Sequence, residues 1–341
     1  MTAAAPDAGR AAVAPTMRAA VYRRKGAARD VLAVETLPRP EPGAGEVRVK
    51  VAWSGVNPSD VKSRAGAAGP AMPFEFVTPH SDGAGVIDAV GGEVAALAVG
   101  TPVWVYNGQW NRPHGTAAEY IVLPAAQVVP LPPGVPLETG ASLGIPLLTA
   151  FHAIDRCGAL LGRTVIVFGA AGAVGYYATQ LAALAGARVI AVVSSAEKAA
   201  LATTAGAAET IDYRTEDVSK RVAALTDKRG ADFVIEVDAA ANVHRYADIL
   251  AFGGTVVVYG SGAADIPVPF RPMLGKFATL YFFVVYALPP ALMRRTLDGA
   301  TALLVQGRLR HLPTAVYDLA DIVAAHERVE QGANAKVLVK V

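Results

Sequence analysis

The residues with the clearest chemical consequence lie between Thr164 and Gly175. The run Thr164-Val165-Ile166-Val167-Phe168 is apolar and rich in β-branched side chains, as a strand covered on both faces requires. It passes directly into Gly169-Ala170-Ala171-Gly172-Ala173-Val174-Gly175 and then into an Ala- and Leu-rich helical stretch. The turn reads A-x-G-x-x-G, with Ala170 where the first glycine of a dinucleotide fingerprint stands. Gly172 lets backbone approach an anion, and Gly175 lets the helix pack close to the strand. The helix start at Ala173 and Val174 offers unpaired N–H groups to a phosphate. Glycine and alanine are abundant in this chain, so a plain glycine-lined βαβ turn is the competing reading; the strand before, the helix after and the next strand, Arg188-Val189-Ile190-Ala191-Val192-Val193, favour a dinucleotide pyrophosphate.

The end of that next strand carries the second chemical signal. A site selective for an unphosphorylated ribose usually places Asp or Glu there, which accepts from the ribose hydroxyls and repels a 2′-phosphate. This chain has Ser194 and Ser195, with Lys198 one helical turn on. Two hydroxyls and an ammonium suit a phosphate, so NADPH is the expected cofactor. The alternative makes Lys198 a solvated helix residue paired with Glu197.

These residues need a framework. At 341 residues the chain exceeds the usual size of a single core, and 53% hydrophobic residues suffice for two. Residues 17–136 give short strand-like pieces separated by Pro and Gly, an all-β pattern that includes residues 18–22 and 46–51. From about residue 137 to 284, strands alternate with Ala-rich helices, the later strands being residues 209–212, 232–237 and 254–259. This alternation predicts an α/β fold with a doubly wound parallel sheet. Helical patterns over 292–304 and 320–329 follow, and the closing strand 336–341 needs a host sheet, expected in the N-terminal β domain. The expected organisation is a flexible tail over 1–16, a mainly-β domain from 17–136 and 285–341, and a Rossmann dinucleotide-binding domain over 137–284.

The composition excludes several classes. The apolar runs fall far short of the roughly 20 residues needed to cross a bilayer. The Ala/Pro-rich first fifteen residues contain Asp7 and Arg10 and lack a signal-like apolar core. A net charge of +2, without a basic stripe, argues against a dedicated nucleic-acid binder. The single cysteine, Cys157, excludes an intrachain disulfide or a multi-cysteine metal site; it sits on an apolar stretch and reads as a core residue. A cytoplasmic protein with a small-molecule partner is expected.

Six blocks in order, residues 55–60 (GVNPSD), 81–86 (SDGAGV), 118–120 (AEY), 144–150 (GIPLLTA), 169–175 (GAAGAVG) and 336–339 (KVLV), resemble the quinone oxidoreductase and zeta-crystallin branch of the medium-chain dehydrogenase/reductase superfamily. The resemblance covers nearly all of the chain after the tail. It implies a GroES-like β domain completed by the C-terminal segment, a Rossmann domain and an active site in the cleft between them. Members are often homodimers or homotetramers that pair Rossmann edge strands. Here the expected edge strand is the aromatic run 280–286, a liability if left exposed; burial within one subunit is the alternative.

By the same resemblance, zinc-dependent relatives carry a cysteine where this chain has Asn57, a His-Glu pair at Ser81-Asp82, and a four-cysteine lobe that this chain lacks between Trp104 and Glu119. No metal ligand set is expected, and His80 beside Pro79 reads as a turn or cleft-lining histidine. Without a Lewis acid, alcohol oxidation loses its main aid, whereas hydride delivery to an electron-poor quinone or conjugated alkene needs mainly positioning.

The resemblance places Asn57 and Asp60 on the cleft floor, Thr149 with the backbone of Gly260-Ser261 around the nicotinamide, and Tyr213 near the adenosine phosphate. Where relatives have a tyrosine two residues after the aspartate, this chain has Lys62, a carbonyl polariser or a surface lysine. Tyr106, Asn107 and Trp110 lie in a loop that could cover the acceptor. The expected activity is zinc-independent, NADPH-dependent reduction of a quinone or α,β-unsaturated carbonyl. An enoyl-thioester reductase and a nucleotide-regulated RNA-binding or crystallin-like protein are the alternatives.

Overall fold

The computed structural model describes residues 15–67 and 69–341. Most of the tail expected over 1–16 therefore lies outside the described residues. Among the described residues, no helix is long and apolar enough to cross a membrane.

Alternating apolar residues and Pro/Gly turns in the first part of the chain build seven strands: β1 (Thr16–Val21), β2 (Ala33–Pro38), β3 (Glu46–Gly55), β4 (Asp82–Val90), β5 (Pro102–Val105), β6 (Tyr120–Pro124) and β7 (Val128–Pro130). β1 and β2 pair as an antiparallel ribbon. β3 is the hub of the remainder, antiparallel to both β4 and β6. Its inward valines, Val47, Val49 and Val51, pack with Ile87, Val103 and Ile121. The helix Pro58–Ala65 follows β3; proline in its first turn lacks an N–H that would be unpaired there in any case.

The α/β half contributes β8 (Thr164–Phe168), β9 (Arg188–Val193), β10 (Glu209–Asp212), β11 (Ala231–Glu236), β12 (Leu250–Val258) and β13 (Thr279–Phe282). They form one parallel sheet in the order β10-β9-β8-β11-β12-β13. This is the doubly wound order of a Rossmann domain, in which the chain reverses direction beside its first strand. Every residue of β8 is buried. One face of the sheet packs on the helices Gly144–Asp155 and Ala173–Leu184, and the other on an apolar layer that includes Val222, Tyr246 and Ile249.

The chain then returns. β14 (Thr314–Asp318) and β15 (Lys336–Lys340) join the N-terminal sheet, with β15 antiparallel to β3, as the closing strand requires. The helix Pro290–Val305 lies with the Rossmann half: its Met293, Ala300 and Leu304 share a core with Leu147 and Leu148. We therefore propose that the boundary expected after residue 284 falls instead near residue 313.

The aromatic edge strand is shorter than the run 280–286. Thr279–Phe282 pair with β12 at the sheet's edge. Beyond Phe283 the chain leaves the ladder for a 3₁₀ turn over Val285–Ala287, because Val285 is drawn into the core and Pro289 and Pro290 cannot extend a strand.

Candidate active site

The nucleotide side grows from the end of β8. Gly169 has φ +64°, a conformation that favours glycine, and turns the chain sharply out of the sheet. Gly172 caps the helix Ala173–Leu184. A Cβ on Gly175 would overlap the Gly169 carbonyl oxygen, so only glycine allows this closeness of helix and turn. The twelve-residue helix points its first N–H groups into a cavity of about 370 Å³, on which Gly172, Ala173, Val174 and Gly175 all open. Thr149, Gly260 and Ser261 line the same cavity. A Cβ on Gly260 would overlap the Val237 carbonyl oxygen, another close crossing of backbones. Ala170 departs from expectation: it is fully buried beneath the turn and forms no part of the wall.

At the end of β9, Lys198 Nζ donates to Ser194 Oγ at 3.0 Å. The Ser195 hydroxyl accepts from Lys198 N at 3.3 Å and caps the helix Ala196–Thr204. Tyr213 is held beside this strand end by its N–H donating to Val193 O, and its half-exposed ring opens on a polar groove with Asp217 and Arg245. Ser194, Ser195 and Lys198 thus form one cluster, with Tyr213 on its flank. The groups present fit a phosphorylated dinucleotide: a helix N-terminus for the pyrophosphate, then an ammonium and hydroxyls at the ribose end.

The opposite wall comes from the N-terminal half. Asn57, Pro58, Ser59 and Lys62 face the cavity from the Pro58–Ala65 helix and its cap. Asn57 is buried and committed at both ends of its amide. Its Nδ2 donates to Asp82 Oδ2 at 2.7 Å, and its Oδ1 accepts from Lys336 Nζ at 2.7 Å. Asp82 is fully buried; its Oδ1 accepts from Ile145 N at 2.7 Å, an approach open because residue 144 is glycine. Burial pushes the Asp82 carboxyl above its ordinary range, while Lys336 and these hydrogen bonds pull it back. Lys336 Nζ lies 3.3 Å from Asp82 Oδ2 and also donates to Val56 O. In the sequence Lys336 marks only the start of a strand; no local signal shows that the strand inserts beside β3.

Two expectations need correction. Asp60 does not line the cleft: its carboxylate turns back to accept from Asn57 N at 2.7 Å, capping its own helix. Burial, with Asp82 nearby, raises its pKa to about 7. His80 lies in the interior, at φ +79°, with Nδ1 2.8 Å from Ser54 Oγ and Nε2 3.0 Å from His326 Nε2. Lys62 is exposed at the rim and donates to Ser261 O at 3.3 Å across the cleft. Of the loop residues, Tyr106 is buried with its hydroxyl on Ala126 O. Trp110 and Asn107 instead hold Tyr286: Trp110 stacks on its ring at 4.7 Å, and Asn107 Nδ2 donates to its carbonyl. Tyr286 lines the cavity, with its hydroxyl 2.9 Å from Ser59 Oγ. In the sequence it stands inside the aromatic run 280–286, whose pattern predicts a continuous strand. Cys157 is a buried core residue whose thiol burial pushes up to about 12.

A Rossmann sheet with a glycine turn, faced across a cleft by a GroES-like β domain, defines a two-domain nicotinamide-dependent oxidoreductase. Residues 43–133 match the family model described as alcohol dehydrogenase GroES-like domain, and residues 173–303 the one described as zinc-binding dehydrogenase. The chain is 33% identical over 292 residues to a quinone oxidoreductase of Pseudomonas aeruginosa, covering 84% of this chain and 88% of that one. A solved NAD-dependent alcohol dehydrogenase superposes with TM-score 0.86 at 30% identity, over 95% of this chain and all of that one. A mycobacterial protein solved in complex with NADPH gives TM-score 0.84 at 27% identity, with the same coverage. The chain belongs to the medium-chain dehydrogenase/reductase superfamily and is of its quinone oxidoreductase type.

One of the matching models is named for zinc, and the donors here do not suit that ion. At Asn57 and Asp82, positions where the resemblance gives zinc-dependent relatives their ligands, an amide and a carboxylate are already bonded to the Lys336 ammonium, which supplies the local positive charge. Among the described residues, no group of three or more His, Cys, Asp or Glu could hold a metal ion.

Proposed function

We propose that this protein is a zinc-independent, NADPH-dependent reductase that delivers hydride to a quinone or an α,β-unsaturated carbonyl in the cleft. The observation that carries the reading is a single cavity lined on one side by the glycine turn, Thr149 and Gly260, and on the other by Asn57, Ser59 and Lys62. Bound NADPH supplies the hydride. The Ala173–Leu184 helix start takes its pyrophosphate, Ser194, Ser195 and Lys198 its 2′-phosphate, and Thr149 with the Gly260-Ser261 backbone its nicotinamide end. Tyr213 flanks the adenosine.

The chain's own contribution to the chemistry is positional. Asn57 is locked by Asp82 and Lys336, so the cleft floor keeps one geometry. Ile145, Val174 and Val284 give apolar walls that exclude water from the acceptor.

The test is initial-rate oxidation of NADPH, with NADH in parallel, by EDTA-treated protein offered an ortho-quinone and then a small enone. Turnover that survives chelation and prefers NADPH is expected. Lys198→Glu should raise the KM for NADPH at least tenfold more than that for NADH. Loss of activity on chelation, or equal effects on both nucleotides, overturns the corresponding part of the proposal.

A further inference from the structure

We propose that Tyr286, backed by Ser59, is the hydrogen-bond donor that stabilises the negative charge developing on the acceptor oxygen. The inference deepens the reductase reading and rests on it.

An acceptor that takes up hydride gathers charge on oxygen, and in a dry cleft that charge needs a donor fixed in advance. The residues first expected to help are committed elsewhere. Asn57 bonds Asp82 and Lys336, Asp60 caps its own helix, and Lys62 reaches across the rim to Ser261 O. The Tyr286 and Ser59 hydroxyls remain, paired at 2.9 Å and both on the cavity wall. With the phenol O–H turned into the cavity, the Ser59 hydroxyl donates to the phenol oxygen and polarises it. The ring cannot easily swing away. Trp110 stacks on it with planes 19° apart, and Asn107 holds its carbonyl from a backbone turn at φ +55°.

Burial and the carboxylates of Asp60 and Asp82 push the phenol above its ordinary pKa against the opposing pull of the Ser59 and Ser81 hydroxyls, so it keeps its proton and donates a hydrogen bond without giving the proton up. The electron count closes. Hydride from the reduced nicotinamide bonds to the β-carbon, the alkene pair shifts toward the carbonyl and its π pair settles on oxygen as an enolate facing Tyr286. Water then protonates the α-carbon, leaving saturated carbonyl, hydroxide and oxidised nicotinamide. A quinone taking up the same hydride leaves a hydroquinone monoanion, whose oxygen meets the same donor.

Two readouts test the proposal. In turnover, Tyr286→Phe should lower kcat for a small cyclic enone about 100-fold, the scale of losing one oxyanion donor. The Kd for NADPH should stay within twofold. Ser59→Ala should lower kcat about tenfold, and Ser59→Thr should restore it. In binding, 1,3-cyclohexanedione, an enolate at pH 7.5, should bind the NADP⁺-loaded protein at least 30-fold more weakly in Tyr286→Phe than in wild type. Active wild type with an unimpaired Tyr286→Phe variant overturns this inference and leaves the reductase reading intact. Inactive wild type with Tyr286-dependent enolate binding overturns the reductase reading and leaves the donor assignment standing. Inactive wild type with enolate binding absent, or indifferent to Tyr286, overturns both.

Discussion

At the scale of single residues, the cleft floor is a set of charges held out of water. Asp82 shares it with one ammonium, Lys336, while Asp60 lies behind it on its own helix, where burial, with Asp82 nearby, raises its pKa to about 7. A carboxyl that is neutral at lower pH when folded but ionises near pH 4 when unfolded stabilises the fold at low pH, and this contribution is lost as pH rises through 7. His80 and His326 act in the opposite sense. Burial, with His326 and Lys336 near His80 and Arg64 near His326, holds both neutral, His326 down to about 3, so their contribution is lost as pH falls below the unfolded value near 6.5. Comparing Asp60→Asn with wild type cancels the histidines. In urea unfolding the variant should gain on wild type from pH 5 to pH 8 by on the order of 1–3 kcal/mol; a pH-independent difference would remove Asp60 from the account.

At the scale of elements, the β8-turn-helix unit is built around contacts that tolerate no side chain. The Gly172 N–H donates to Gly169 O at 2.8 Å, and Gly175 lies against the same carbonyl. Gly175→Ala should push the Ala173–Leu184 helix away from β8. We expect a loss of about 1–3 kcal/mol in stability, as for other overpacked sites, with NADPH binding weakened at least tenfold. Denaturant unfolding and nucleotide titration of the same preparation check both. The unit was legible in the sequence because strand, turn and helix are local and each leaves its own period. The 3₁₀ turn that aims Tyr286 was not, since Val285 is pulled inward by a core assembled from distant segments.

At the scale of the whole molecule, two features span residues far apart in the chain. The cleft is bridged by Lys62 to Ser261 and by Ser59 to Tyr286. The outer edge of the Rossmann sheet is β13, unpaired on one side among the described residues. Near it Phe252 and Phe277, 72% and 71% exposed, meet in a tilted pair with ring centroids 4.8 Å apart, and Phe282 is also exposed. We propose that a second copy covers this edge in a homodimer. Phe277 has φ +52°, which asparagine accepts readily, so Phe277→Asn strips apolar surface without straining the turn. Sedimentation velocity should give a dimer for wild type and a shift toward monomer for the variant; a monomeric wild type would remove the proposal.

The sequence alone determined the two-part architecture, the parallel sheet and the glycine turn at the end of β8. Each is written in a short-range pattern: period-two strands between Pro and Gly in one half, strand-helix alternation in the other, and glycines where no Cβ fits. It also showed hydroxyls and an ammonium at the end of β9, which the structure gathers into one cluster. Only the tertiary structure decided that Lys336 arrives from the far end of the chain to bond Asn57 and Asp82, that Asp60 serves its own helix, and that Tyr286 meets Ser59 across 227 positions. The physical reason is that direct hydrogen bonding reaches only about 3 Å, so the partner of a buried polar group is chosen by which backbones the fold brings together, and no local period in the sequence records that choice.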